Sequence, residues 1–293
     1  MIAPGDRGHL PLLVASDIDG TLITSQERIS ARTRAVIRRM TRVGTVLALA
    51  TGRPPRWIYP ILEQLDVRPI CVCANGAILY DSAADRIFAA HTLAPEHLRT
   101  LATTARAAFA DHGGVGFAVE RAGRSAFDDA ATLFAAAPDY DHAWDSVDHG
   151  TQPEEELFAT PAIKLLLRST TLNSADMYDI IAPAIPDTLA HVTYSFPDGL
   201  VEIAAPGVTK ELGVKELSRL IGADRTDVVC FGDMPNDTEM LTWAGWGVAM
   251  GNAPDCVKAI ANEVTTTNDA DGVARVLERW FPAPDATPGA PHS

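Results

Sequence analysis

Apolar residues occur along the first part of the chain in short continuous runs. These runs lie at residues 10–16, 45–50 and 69–74. Continuous runs of this length are typical of strands that are buried on both faces of a parallel sheet. Ser30 is a candidate helix N-cap between the first two runs, and Val36 and Met40 follow it at helical spacing. This alternation of strands and helices predicts a doubly wound α/β sheet.

The pattern changes after about residue 80, where the regular alternation of strand and helix stops. Ala-rich stretches with helical character then alternate with strand-like runs. The helix-like stretches are residues 96–111 and 129–137, and the strand-like runs are residues 115–120, 162–168, 191–196 and 200–204. This mixture predicts an inserted α+β region, which we call the cap.

The first pattern then resumes. A stretch with one apolar helix face at residues 208–220 is followed by strand-like runs at residues 227–231 and 246–250. We therefore predict an α/β core with a doubly wound parallel sheet, formed by residues 1–82 and 204–293 and interrupted by a cap at residues 83–203. The proline-rich end of the chain, residues 282–293, is predicted to be a disordered tail.

Composition and charge narrow the possible partners. Of the 293 residues, 47% are apolar and 21% are charged, which is enough apolar material for a sizeable buried core. The 38 acidic and 24 basic residues leave a formal net charge of −14. We therefore expect no nucleic-acid or membrane partner, because both need a basic face. No apolar stretch approaches the roughly 20 residues that span a bilayer, and the first residues carry no apolar signal segment, so we expect a cytoplasmic protein.

Polar residues follow three of the predicted core strands at the point where each strand ends. These motifs are Asp17-Ile18-Asp19-Gly20-Thr21, Thr51-Gly52-Arg53 and Gly232-Asp233-Met234-Pro235-Asn236-Asp237. A fourth polar group, Lys210, lies in the first turn of the helix predicted at residues 208–220. Ligands of open α/β sheets bind beyond the carboxyl ends of the strands, so one cavity can collect all of these groups.

The residue types suit phosphoryl transfer. Asp17 and Asp19 are two positions apart and would point to the same side of an extended chain. One carboxylate can accept a phosphoryl group, and the other can give a proton to the leaving oxygen and later take one from water. Asp233, together with Asp17, offers hard oxygen ligands for Mg²⁺. The Thr51 hydroxyl and the Lys210 ammonium group can donate to the phosphoryl oxygens.

In this order, the four motifs resemble those of the haloacid dehalogenase (HAD) superfamily of phosphohydrolases. The position of the insert, between the threonine motif and the lysine motif, resembles the Cof-type subfamily. The segment Asn75-Gly76-Ala77 is a further match. The resemblance implies that Asp17 is the nucleophile and that Asp19 is the general acid and base.

The resemblance also implies roles for the other motif residues. Phosphate binding would fall to Thr51, Gly52, Lys210 and Asn236, and metal binding to the side chains of Asp17 and Asp233 and the backbone carbonyl of Asp19. Asp237 would orient metal-bound waters or Lys210, and capping of the helix that follows it is an equal alternative. Candidates for contact with the substrate are Arg53, Asn75 and Gly76, and for Arg53 a position on the open surface is an equal alternative.

Together these features predict a Mg²⁺-dependent phosphomonoester hydrolase that acts on a small phosphorylated metabolite, a sugar phosphate or similar, through an aspartyl-phosphate. Two alternatives stay open. A phosphomutase of the same fold would pass the phosphoryl group to a second hydroxyl instead of to water. A regulator would bind a phosphorylated ligand without turnover. The sequence leaves open the identity of the metabolite, the cap residues that select it and the oligomeric state.

Overall fold

The computed structural model describes residues 9–142, 149–194 and 197–283. The tail predicted at residues 282–293 lies outside the described residues from residue 284 onwards. Within the described ranges, every helix is too short or too polar to cross a lipid bilayer.

An eight-stranded sheet, which we call the large sheet, collects the predicted core strands. Its strands are β1 (Leu13–Ser16), β2 (Val46–Ala50), β3 (Ile70–Cys73), β4 (Ile78–Asp81), β5 (Arg86–Ala90), β12 (Val228–Gly232), β13 (Trp246–Ala249) and β14 (Glu263–Val264). Their order across the sheet is β14-β13-β12-β1-β2-β3-β4-β5. The strands from β14 to β3 are parallel, whereas β4 and β5 add to the edge in antiparallel fashion. Because β1 lies between β2 and β12, a crevice forms beyond its carboxyl end.

Helices cover both faces of the large sheet. One face packs against α1 (Ala31–Arg42), α2 (Tyr59–Leu62) and α10 (Gly272–Leu277), and the other against α7 (Lys210–Leu220), α8 (Thr238–Trp243) and α9 (Asp255–Ile260). The predicted cap of α1 is confirmed, because the Ser30 hydroxyl accepts a hydrogen bond of 3.0 Å from the backbone N–H of Thr33. The predicted fold class, a doubly wound α/β core with an α+β insert, is confirmed.

A second, six-stranded sheet lies in the middle of the chain, and we call it the cap sheet. Its strands are β6 (Gly116–Glu120), β7 (Phe134–Ala136), β8 (Gly150–Thr151), β9 (Lys164–Arg168), β10 (His191–Thr193) and β11 (Leu200–Ala204), in the order β10-β11-β9-β6-β7-β8. The helices of this region are α3 (Pro95–Ala108), α4 (Ala130–Leu133), α5 (Glu154–Leu157) and α6 (Ser174–Ile181). All strand pairs of the cap sheet are antiparallel except β7 with β8.

Side chains of the cap sheet alternate between two environments. Leu165 and Leu167 of β9 are fully buried in the apolar cluster that includes residues of α3 and α6. Their neighbours Lys164 and Leu166 point the other way and line a cavity that they share with the carboxyl end of β1. One face of the cap sheet therefore closes the crevice of the large sheet.

The helix predicted at residues 129–137 is wrong for its second half. The structure has helix only at Ala130–Leu133, and Phe134–Ala136 is strand β7. Phe134 pairs with Glu120, and Ala136 pairs with Ala118. The backbone hydrogen bonds of this pairing override the helix propensity of the Ala-rich sequence.

One strand bears on the division into a core and a cap. Strand β5, Arg86–Ala90, falls inside residues 83–203 but pairs with β4 in the large sheet. The strands of the cap sheet begin at Gly116 and end at Ala204. The division itself stays a prediction.

Candidate active site

The chain turns sharply after β1, and this turn presents the first motif. The backbone N–H of Leu22 donates to the carbonyl of Asp17, and that of Ile23 donates to the carbonyl of Ile18, so residues 18–22 form a wide turn in which Asp19 and Gly20 have non-helical backbone angles. Asp17 (φ −59°, ψ 159°) and Asp19 (φ −77°, ψ 126°) keep extended backbone angles at this turn, and both side chains line the same cavity. Gly20 takes a φ of +71°, and a Cβ there would overlap the Asp233 carboxylate. The close approach of the first and last motifs thus requires glycine at this position.

A buried lysine joins two of the predicted carboxylates. Lys210, the first residue of α7, is 2% exposed. Its Nζ donates to Oδ1 of Asp17 at 2.6 Å and to Oδ1 of Asp237 at 2.7 Å. The second oxygen of Asp237 accepts from the backbone N–H groups of Asp233 and Met234. Asp237 therefore holds both Lys210 and the loop after β12.

Asp233 is held by a separate set of donors. Its Oδ1 accepts from the Thr21 hydroxyl at 2.9 Å, and its Oδ2 accepts from the Asn252 amide at 3.2 Å. The same amide donates to the backbone carbonyl of Gly20 at 2.8 Å. These bonds fix the loop after β12 against the turn after β1.

The carboxylates outnumber the cation at this place. Oxygens of Asp17, Asp233 and Asp237 all lie within 4.8 Å of one another, and the Lys210 ammonium group bridges Asp17 and Asp237. Burial raises the pKa of Asp233 to about 6 and raises the pKa of Asp17 well above its usual value, and in both cases nearby carboxylates add to the effect. Burial opposes the charge of Lys210, but Asp17 and Asp237 outweigh it and raise the Lys210 pKa.

The excess of buried negative charge indicates that a metal ion would fit this site. The donors are all oxygens, they are buried, and their ionised forms lack compensating charge, which suits a hard divalent cation. Asp17 and Asp233 are the members that would hold it, because Asp237 already engages Lys210 and two backbone N–H groups.

Asp19 and Arg53 form a bidentate ion pair at the cavity wall. The Nε of Arg53 donates to Oδ2 of Asp19 at 2.8 Å, and its Nη2 donates to Oδ1. Both residues line the cavity. Of the two alternatives for Arg53, the structure therefore favours the wall of the site over the open surface.

The remaining predicted residues lie in the loops around this cluster. Thr51 is fully buried, and its hydroxyl accepts from the backbone N–H of Arg53 at 3.1 Å. Asn236 lines the cavity, donates to Oδ1 of Asn75 at 3.1 Å, and has a buried Oδ1 with no partner among the described residues. Gly76 has a φ of +97°, and a Cβ there would overlap the carbonyl of Thr209. The structure thus gives Gly76 a packing role beside the start of α7.

A cavity of about 330 Å³ connects this cluster to the cap sheet. The cluster forms the floor of the cavity. The lining residues from the cap sheet, which we call the roof, are Glu120, Phe134, Lys164, Leu166, Leu200 and Glu202. Between floor and roof, the sides include Gly52, Pro54, Trp57 and Met234.

Charged roof residues bind the core through buried ion pairs and hydrogen bonds. Glu120 pairs in bidentate fashion with Arg56, and Lys164 pairs with Glu202. Lys164 also donates to the carbonyl of Gly52 at 3.3 Å, and the Asn75 amide donates to Glu202 at 3.2 Å. The roof is thereby fixed to the loop that carries Thr51.

Sequence reasoning assigned no role to several residues of this site. Thr21 lies inside the first motif, and this position is the feature of the sequence that could indicate its hydrogen bond to Asp233. Lys164 and Glu202 interrupt apolar strand runs, and a charge within a buried strand is the sign that could have identified them. The sequence offers no comparable sign for Phe134, because its apolar character is shared by the whole core.

Comparisons with known proteins place the chain among phosphatases and hydrolases of similar sequence. A family model described as haloacid dehalogenase-like hydrolase matches residues 14–277. Two phosphatases of Bacillus subtilis, YitU and YcsE, are 28% and 27% identical to the chain, and each match covers 92% of this chain and 98% or 95% of the relative. Both are named 5-amino-6-(5-phospho-D-ribitylamino)uracil phosphatase.

A solved structure gives the same result for the fold. It is a haloacid dehalogenase-like hydrolase from Bacteroides thetaiotaomicron, with 27% identity and a TM-score of 0.69. The superposition covers 92% of this chain and 99% of that protein. The similarity therefore extends over both sheets.

Proposed function

The chain belongs to the haloacid dehalogenase-like hydrolase family, and from this premise we propose that it is a Mg²⁺-dependent phosphatase of small organic phosphate monoesters. The observation that carries the proposal is the bridge from Lys210 to Asp17 and Asp237 at the floor of the cavity. Binding of phosphate alone would not require a buried carboxylate there, since a carboxylate repels an anion. A mechanism in which a carboxylate attacks phosphorus does require a carboxylate there. The Bacillus subtilis relatives, which are named for a small phosphorylated metabolite, support the same substrate class.

In the proposed reaction, an Asp17 oxygen forms a bond to phosphorus while the ester P–O bond breaks. Asp19 gives a proton to the leaving oxygen and later takes one from the water that attacks the aspartyl-phosphate. That second attack releases inorganic phosphate and restores the Asp17 carboxylate. Thr51, Gly52, Lys210 and Asn236 would donate to the phosphoryl oxygens as their charge rearranges. Arg53 would hold Asp19 at the wall until the substrate enters.

Asp17, Asp233 and the backbone carbonyl of Asp19 would bind the metal. A bound Mg²⁺ ion would offset the repulsion between the carboxylates and the phosphate. Asp237 would keep Lys210 charged and directed at Asp17. The hydrogen bond that Asp237 accepts from a backbone N–H group would hold its carboxylate in place for this. The exposed rim of the cavity would admit the substrate, and the roof would exclude bulk water during the reaction.

We also propose the division of the chain into a core and an inserted cap; the sequence predicts the cap at residues 83–203, and we place its first boundary after residue 90. The run of cap-sheet strands from Gly116 to Ala204 supports this division. The pairing of Arg86–Ala90 with the large sheet supports a first boundary that lies after residue 90.

The proposal is tested by phosphate release from p-nitrophenyl phosphate and acetyl phosphate, with Mg²⁺ and with EDTA. We expect turnover that needs Mg²⁺ and that falls by at least about 10³-fold in Asp17→Asn, because the amide is a poor nucleophile. The matched control is Asp255→Asn, an exposed aspartate in α9, which should keep the wild-type rate. Equal rates for wild type and Asp17→Asn would contradict the aspartyl-phosphate mechanism.

The same assay separates the two alternative functions. A phosphomutase would convert a sugar bisphosphate or a phosphosugar isomer and release little free phosphate. A regulator would bind phosphorylated ligands, which calorimetry detects, and would release no phosphate with any substrate.

A further inference from the structure

Apolar side chains form much of the cavity lining outside the catalytic cluster. They are Phe134, Leu166 and Leu200 in the roof and Pro54, Trp57 and Met234 at the sides. The three roof residues are buried, whereas Trp57 and Met234 are 36% and 42% exposed. Exposed large apolar side chains at a cavity mouth are typical of a binding surface.

The charges of the roof are already neutralised within the protein. Lys164 pairs with Glu202 and Arg56 pairs with Glu120, and all four side chains are at most 9% exposed. Each pair contributes one positive and one negative charge. Within the described residues, the roof therefore offers no unpaired cation to a second phosphate or a carboxylate of the substrate.

This lining discriminates between two kinds of leaving group. A sugar would place several hydroxyls against Phe134, Leu166 and Leu200, where they would lose water without gaining a hydrogen bond. Each such hydroxyl lowers affinity by about tenfold or more. A flat ring would instead bury its faces against these side chains, and the removal of this apolar surface from water would raise the affinity.

We propose that the substrate carries an aromatic or heteroaromatic ring without net charge, and that this ring binds against Phe134, Leu166 and Leu200. The inference rests on the proposed phosphatase function and names the substrate class of that same site. The ring extends from the ester oxygen, beyond Asp17 and Asp19, toward the roof. Trp57 and Met234 flank its path, so the mouth of the cavity is apolar as well.

The first test compares substrates on the full-length wild-type protein with Mg²⁺. Two probes, benzyl phosphate and pyridoxal phosphate, carry an aromatic ring. Two others, glucose 6-phosphate and fructose 1,6-bisphosphate, carry a polar sugar. Acetyl phosphate is the small reference substrate. We expect kcat/KM for the better ring substrate to exceed that of both sugar phosphates by at least about tenfold. Equal or faster turnover of a sugar phosphate would overturn the inference and leave the phosphatase function intact.

Two variants then locate the ring. Leu166→Asn places an amide in the roof and should lower kcat/KM for the ring substrates at least about tenfold relative to acetyl phosphate. Leu166→Met keeps an apolar side chain and should restore the ring preference that Leu166→Asn loses. A ring preference unchanged in Leu166→Asn would contradict binding at this roof. If Leu166→Asn does not fold, the wild-type ratios decide.

Failure of the proposed function gives a different result. In that case none of the five phosphates would be hydrolysed, including acetyl phosphate, which carries neither a ring nor a sugar. The substrate inference would then fall together with the function on which it rests.

Discussion

The floor and the roof of the cavity handle buried charge in different ways. At the floor, the carboxylates of Asp17, Asp233 and Asp237 lie close together, Lys210 pairs with Asp17 and Asp237, and the pKa values of Asp17 and Asp233 are raised. At the roof, Lys164 pairs with a single carboxylate, that of Glu202. The floor therefore has a charge imbalance that a cation relieves, and the roof has none.

The contrast between floor and roof separates the residues that carry out the reaction from those that recognise the leaving group. A site that transfers a phosphoryl group needs excess carboxylate for a metal and a nucleophile, and it tolerates the free energy that this costs. A surface that receives a neutral leaving group needs apolar contact and no residual charge. The predictions that follow test this difference, from the largest expected effect to the smallest.

Removal of the floor cation should have the largest effect. In Lys210→Met, the carboxylates of Asp17 and Asp237 stay buried without their partner. We expect kcat/KM to fall by about 10³-fold or more and the free energy of unfolding at neutral pH to fall by about 3–5 kcal/mol. Urea unfolding and steady-state kinetics measure the two effects.

The same helix provides the control for this variant. Lys215 lies one turn and a half further along α7 and pairs with Glu211 at the partly exposed surface. Lys215→Met should change the free energy of unfolding by less than about 1 kcal/mol and leave kcat/KM unchanged. Similar losses in both variants would contradict the special charge environment of Lys210.

The floor could be predicted from the sequence because its residues lie in short motifs. Asp17, Thr51 and Asp233 each follow a strand by one or two positions, and parallel strands bring these ends together whatever the loops do. The ion pair between Asp19 and Arg53 could not be predicted, because the two residues lie 34 positions apart in different motifs.

The roof could not be predicted because its residues are far apart in the chain and share no local pattern. Glu120, Lys164 and Glu202 meet only through the register of three antiparallel strands. A shift of one residue in any strand would turn its side chains to the other face. The sequence also hid strand β7, because the pairing of Phe134–Ala136 with β6 outweighs its Ala-rich helical character.

Metal should stabilise the floor in a pH-dependent way. The raised pKa of Asp233, about 6 against 3.8, means that the metal-free folded state holds a proton that the unfolded state releases between these values. Its contribution to stability is therefore present below about pH 4 and is lost as the pH rises through 6. Because Mg²⁺ competes with this proton, it should bind more strongly above pH 6.

Thermal unfolding measures this effect. With Mg²⁺ at about 100 times its Kd, we expect Tm at pH 7.5 to rise by about 5 °C, and by much less at pH 5. Asp233→Asn should abolish the rise at pH 7.5, whereas Asp255→Asn should keep it. A rise of equal size at both pH values would show that protons do not compete with the metal at this site.

The ion pair between Arg56 and Glu120 should give the smallest effect, since it joins the segment next to Trp57 to the roof and includes no residue of the floor. Arg56→Met leaves the Glu120 carboxylate nearly buried and unpaired, so we expect a loss of about 1–3 kcal/mol in unfolding free energy and a KM raised a few-fold at unchanged kcat.

Arg56→Met combined with Glu120→Leu removes both charges and should recover most of the stability. A double variant that loses the sum of the two single losses would show that the two charges are not coupled. If kcat falls instead of KM rising, the pair acts on the reaction at the floor, and the separation between floor and roof is wrong.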